Sequence, residues 1–169
     1  MPTGLKASSS VVSIGFQAIE PGANTFVETQ VDLNLSPLDR EVFVVLAIDL
    51  DCFAPNTVAG NSAVSASLTS TRQTDVVNLS NSNCLANQVL ETRVDVATGI
   101  GVSFTRSSGE SPSSLLEYIG IIATNDFFVQ CRGDGNTGAK SVSGKLYGYR
   151  AQASADIFAA LVQSEVLSA

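Results

Sequence analysis

The chain has 169 residues, 44% apolar and only 15% charged, with a net charge of −7 and no histidine. That length suits one domain whose core needs no metal or disulfide staple. The missing histidines remove the commonest general base and zinc ligand. Lys6 is the one basic residue among the first 39, so no basic arm for nucleic acid is expected.

Taken in order, residues 1–9 read as a flexible polar lead-in. Ser10–Ile19 alternates, with Val12, Ile14, Phe16 and Ala18 on one face. Glu20-Pro-Gly-Ala-Asn24 is turn chemistry. Thr25–Leu35 alternates again, with Val27, Val31, Leu33 and Leu35 inward and Glu28, Gln30, Asp32 and Asn34 outward. Glu41–Cys52 is the organising strand. Val42, Val44, Leu46, Ile48 and Leu50 are all apolar, while the odd positions begin apolar at Phe43, Val45 and Ala47 and end acidic at Asp49 and Asp51. Since alternate side chains fall on opposite faces, this strand should be covered on both sides at its start and on one side at its end.

Phe53–Asn61 reads as a loop, and Ser62–Ser70 places Val64, Ala66 and Leu68 on one face. Thr71–Asn87 is irregular, Asn- and Ser-rich, with a short apolar insertion at Val76-Val77. Gln88–Ala97 alternates, with Leu90, Val94 and Val96 inward, and Thr98-Gly99 makes a tight turn into Ile100–Thr105. Arg106–Ser114 is a Ser/Gly/Pro loop. Glu117–Ala123 and Asp126–Arg132 are apolar runs joined at Thr124-Asn125, either as a hairpin or as one bent strand. Gly133–Lys140 is a Gly-rich loop and Ser141–Ala151 a last strand. Ser154–Leu167 is the one convincing helix, capped by Ser154 with Asp156 in its first turn. Its apolar stripe is Ile157, Phe158, Leu161, Val162 and Val166.

The expected fold is therefore all-β, an antiparallel β-sandwich of eight or nine strands over residues 10–151, followed by a C-terminal helix over 152–169. The unequal loops favour Greek-key or jelly-roll crossing over an up-and-down barrel, with a single jelly roll as the first expectation. The helix stripe (Phe158, Leu161, Val162, Val166) is an interface, either with the chain's own sandwich or with a neighbouring subunit, because so short a helix must pack on something.

Chemical signatures are sparse. Asp49 and Asp51 share a strand face and can hold calcium or do acid–base work with Asp32 or Glu28; the competing reading is a solvated strand end. Asp134-Gly-Asn-Thr-Gly138 is a loose oxygen-rich loop without the later glutamate of an EF-hand. Asp49, Asp51 and Asp134 are thus the calcium candidates, and no other cofactor is expected. Arg132-Gly-Asp134 is an adhesion tripeptide and also ordinary loop composition. Asn34-Leu-Ser and Asn78-Leu-Ser fit the glycosylation sequon, which matters only in a secreted protein.

Cys52, Cys84 and Cys131 are an odd, widely spaced set, read as small apolar fillers. No serine has a base partner to activate it, and no catalytic residue is assigned. With no tryptophan and three tyrosines, a glycosidase cleft is poorly equipped. No stretch is long enough for a signal peptide or a membrane span, which predicts synthesis in the cytoplasm without secretion by the usual route.

Over Ser10–Ala151, the strand count, the low charge, the Ser/Thr/Asn-filled outward faces and the long loops at 53–61, 71–87 and 106–116 resemble a viral single jelly-roll capsid protein. The resemblance implies a coat subunit located in the virion and made in the host cytoplasm. Its partners would be copies of itself in a symmetric assembly and other virion proteins. The missing basic arm departs from many such families, so direct nucleic-acid binding is not expected. Apposition to an internal membrane, or an outer decoration role, would suit that absence. The alternative is a receptor- or carbohydrate-binding β-sandwich such as a spike, with Asp134 and Asn136 as site candidates. A sandwich hydrolase using Asp49 and Asp51 ranks last.

Overall fold

A computed structural model of the chain describes residues 2–107 and 116–168. Ten strands and one α-helix lie among the described residues. The strands are β1 (Leu5–Ala7), β2 (Val12–Ile19), β3 (Val27–Asp32), β4 (Glu41–Cys52), β5 (Gly60–Thr69), β6 (Cys84–Val94), β7 (Gly101–Ser107), β8 (Gly120–Ile122), β9 (Asp126–Asp134) and β10 (Ser141–Ala153); the helix is α1 (Ala155–Leu167). The protein is an all-β antiparallel sandwich of two sheets with one C-terminal helix. Most of the expected 106–114 loop lies outside the described residues, while Arg106 and Ser107 close β7.

The first sheet runs β10–β4–β8, with β1 and β2 end to end along the other edge of β10, where Leu5 faces Ala153 and Val12 faces Gly148. The polar lead-in thus contains a strand, and Leu5 is buried. The second sheet runs β3–β9–β5–β6–β7. Pairing is nested: β2 with β10, β3 with β9, β4 with β8 and β5 with β6, successive pairs falling in opposite sheets.

Between the sheets, Phe16, Phe43, Val45, Ile48, Ile122 and Leu146 meet Val64, Leu68, Phe127 and Val129. Phe16 and Phe127 pack edge to face with centroids 5.8 Å apart, a favoured aromatic geometry.

Strand β4 shows why alternation alone misleads. Tyr147 of β10 faces Ala47, yet Gly148 faces Val45, so Leu46 has no partner and forms a bulge. Before the bulge, Phe43 and Val45 face the sandwich while Val42 and Val44 face outward. After it, Ile48, Leu50 and Cys52 face the sandwich and Asp49 and Asp51 face solvent. The apolar even positions therefore do not share one face, because one unpaired residue flips every side chain beyond it. Gly148 sits at this crossing, where a Cβ would collide with the Val44 carbonyl oxygen.

The outward start of β4 is covered by α1. Ile157, Phe158, Leu161 and Val162 pack on Leu5, Val42, Val44, Ala123, Ala151 and Ala153, a second core on the outer face of the first sheet. Thr124-Asn125 is neither a hairpin turn nor a bend within one strand. It is the corner where the chain leaves β8 in the first sheet and enters β9 in the second. Among the described residues no helix is long and apolar enough to cross a membrane.

Candidate functional site

Position in the sheets decides what the acidic candidates can do. Asp49 faces Lys145 and Asp51 faces Ser143 on the outer face of the first sheet, and the Tyr147 hydroxyl donates to Asp49. Desolvation, and after it the Asp49 carboxylate, raises the Tyr147 phenol above its ordinary value. Asp134 lies in the second sheet opposite Ala63. Glu28 and Asp32 are on β3, also in the second sheet. The structure therefore separates Asp134 from the Asp49–Asp51 pair, and Asp49 and Asp51 from both proposed acid–base partners. Among the described residues no three His, Cys, Asp or Glu side chains gather around a point where a metal could sit.

Asn136 serves the fold. Its side chain accepts from the Asn56 N–H at 2.9 Å and donates to the carbonyls of Ala63 at 2.8 Å and Asp134 at 3.1 Å. Its backbone exchanges two bonds with the Asn24 side chain. Buried Glu20 accepts N–H groups from Thr25, Gly133 and Lys140. Lys140 donates to the Ala54 carbonyl and lies over the Phe53 ring. These residues tie three loops together at one end of the sandwich, where hydrogen bonds replace lost hydration.

The adhesion tripeptide is not displayed on a loop. Arg132, Gly133 and Asp134 are strand residues of β9, which β3 and β5 flank on either side at Cys131. Gly133 is buried and gives its N–H to Glu20. Cys52 and Cys131 act as apolar filler in the core, whereas half-buried Cys84 gives its S–H to the Ala86 carbonyl; burial pushes the Cys52 and Cys131 thiols up to about 12 and Cys84 to about 11, which suppresses thiolate chemistry.

The helix residues divide. Phe158, Leu161 and Val162 pack on the chain's own first sheet, whereas Val166 is 60% exposed. Sequence reasoning missed Glu165, buried at 7% exposure. Its carboxylate accepts the N–H groups of Ala123 and Thr124, each at 3.0 Å, and so ties the helix to the corner between the sheets. Burial raises its carboxyl above the ordinary value although both of these bonds act to lower it.

A second convergence of polar side chains lies on the outer face of the second sheet, where the chain between β5 and β6 folds back. The Gln73 N–H donates to Glu28 at 2.7 Å, and Arg72 pairs with Glu28 at 3.3 Å. The Val77 N–H donates to Ser67, and the Asn87 amide donates to the Val77 carbonyl. Fully buried Gln130 accepts from Ser67 and donates to Thr69 and Glu28. The Val76-Val77 insertion was the one sequence signal for this return, since apolar residues in an otherwise polar loop need something to cover.

Under the returning loop is a cavity of about 280 Å³, lined by Ser65, Asp75, Val77, Asn87, Arg106 and Arg132. Arg132 pairs with Asp75, and Arg106 with Glu91 at 2.9 Å. With both guanidinium groups paired to carboxylates, the cavity offers hydroxyl, amide and ion-paired groups that can hold a small polar ligand. No protein-family model matches the chain, and no curated protein matches it in sequence.

Proposed function

We propose that the chain is a structural virion protein, a self-assembling coat subunit built as a single jelly roll, with no catalytic role. The observation that carries this reading is the nested pairing of β2 with β10, β3 with β9, β4 with β8 and β5 with β6 in alternating sheets. It is the order expected when one long antiparallel hairpin wraps into two Greek keys, an architecture used by viral shells and also by lectins. The sparsely charged surface supports extended contact between copies, and the net charge of −7 supports partners that are proteins rather than nucleic acid. Calcium belongs to this proposal in one form only. Asp49 and Asp51 offer two carboxylates on an open face, so the remaining oxygen ligands would come from a neighbouring copy.

Light scattering of the purified chain with negative-stain imaging, with and without a chelator, tests the reading. Closed particles or rings of many copies are expected, and chelator-sensitive particles would place calcium between copies. A monomer at every concentration overturns the proposal. That outcome favours the second reading, a receptor- or carbohydrate-binding module using the cavity beside Arg106 and Arg132, which glycan screening would then examine.

A further inference from the structure

We infer that β7 is a self-pairing edge through which two copies join their second sheets into one continuous sheet. The inference rests on the coat reading in taking the partner to be a second copy.

Strand β7 ends the second sheet, and among the described residues only β6 pairs with it. The hairpin closes with the Asp95 N–H on the Ile100 carbonyl at 2.9 Å, and the register then runs unbroken from Val94↔Gly101 to Gln88↔Ser107. Hydrogen-bonded and non-hydrogen-bonded pairs alternate in such a ladder. Val102, Phe104 and Arg106 therefore spend their backbone groups on β6, while Ser103 and Thr105 direct theirs away from it. The close approach of the Ser103 and Thr92 hydroxyls at 3.2 Å agrees with a non-hydrogen-bonded pair there.

Natural edges are guarded by charge, proline, bulges or brevity. Strand β8 is three residues long, and β3 carries Glu28 and Asp32. Strand β2 is uncharged but turns small or polar Ser13, Gly15 and Gln17 outward. Strand β7, Gly-Val-Ser-Phe-Thr-Arg-Ser, has no proline, no lysine and no bulge. Its one charge, Arg106, is held by Glu91. On its outer face Val102 is 54% and Phe104 49% exposed, beside Ile100.

The strand is complementary to itself. An antiparallel two-fold centred on Ser103 sets the free backbone groups of Ser103 against those of the second Ser103, and Gly101 against Thr105. It places Val102 opposite Phe104 twice, and Ile100 opposite Arg106 twice. No like charges face each other, and aromatic–β-branched pairs are favourable across strands. A seven-residue strand buries less than the roughly 1,200 Å² of a standard stable interface, so the contact is weak in a pair and strong in a closed assembly where many copies hold it.

Sedimentation of the full chain over a concentration series, with amide exchange read by residue, tests the inference. Ser103→Pro removes a backbone donor that β6 does not use, and Phe104→Lys charges the apolar pair while leaving the backbone intact. The wild type should associate, the Ser103 and Thr105 amides should slow as it does, and each variant that folds should associate at least tenfold more weakly. Association that proceeds with both amides exchanging freely, and undiminished in Phe104→Lys, overturns the β7 contact and leaves the coat reading standing. A wild type that stays monomeric throughout overturns both.

Discussion

Glu165 shows how one side chain can decide a local arrangement that its sequence context conceals. In a helix whose neighbours at 161 and 162 are apolar, a glutamate four residues on reads as solvated. It is instead buried, receiving the two N–H groups of the corner between β8 and β9. Glu165→Gln sets an amide NH₂ against one of those donors and should cost about 1–3 kcal/mol, the penalty for a stranded buried donor. The pH dependence has a definite sign. Burial raises the folded carboxyl above 4.5, so the folded state binds a proton more tightly than the unfolded chain. The stability owed to this group is then greatest at low pH and falls as pH rises from 4.5 through the raised folded value. Thermal melts across that window should show the gap between wild type and Glu165→Gln narrowing as pH rises. A gap that widens, or a variant as stable as wild type throughout, would contradict the assignment. Asn136 carries a similar lesson in reverse: its oxygen-rich loop looked like a cation site, and its side chain is consumed by three bonds within the fold.

Elements were legible where a periodic pattern met one environment, and illegible where the environment changed within an element. The alternation of Thr25–Leu35 placed β3 because one face meets the core along its length. The helix stripe placed Phe158, Leu161 and Val162 for the same reason, and the expectation that β4 is covered on both sides at its start holds because α1 lies over Val42 and Val44. Alternation failed at Leu46, since a bulge is a property of the pairing with β10 and leaves no mark in the β4 sequence alone. It failed at Val96, which continues the pattern of β6 but falls in the turn after it, 75% exposed. Val166 continues the stripe by spacing but is 60% exposed and stands outside the cluster that packs on the sheet. The stripe therefore divides by energy. Leu161→Ala should destabilise the fold by about 2 kcal/mol, the cost of deleting partly buried methylenes. Val166→Ala should stay within about 0.5 kcal/mol. Urea unfolding of the two variants decides this, and equal losses would mean that Val166 also packs.

For the whole molecule, the charge balance says how copies should meet. Each copy carries −7, so approach is opposed by long-range repulsion that added salt screens, the Debye length shrinking from about 30 Å at 0.01 M to about 10 Å at 0.1 M. The contacts offered for assembly are backbone pairing and apolar side chains such as Val102 and Phe104, and these do not weaken with screening. Assembly should therefore become more favourable as salt rises, with the critical concentration for particles falling. Nucleic-acid binding has the opposite signature, because affinity drawn from counterion release is lost as salt increases. A single salt titration followed by light scattering, repeated with added single-stranded nucleic acid, separates the two. Particles that form more readily at higher salt, with no change on adding nucleic acid, are the expected result. Assembly that dissolves as salt rises would mean that attraction between opposite charges holds the copies together, and would move the search for the interface to the ion-paired surface around Glu91, Arg106 and Arg132.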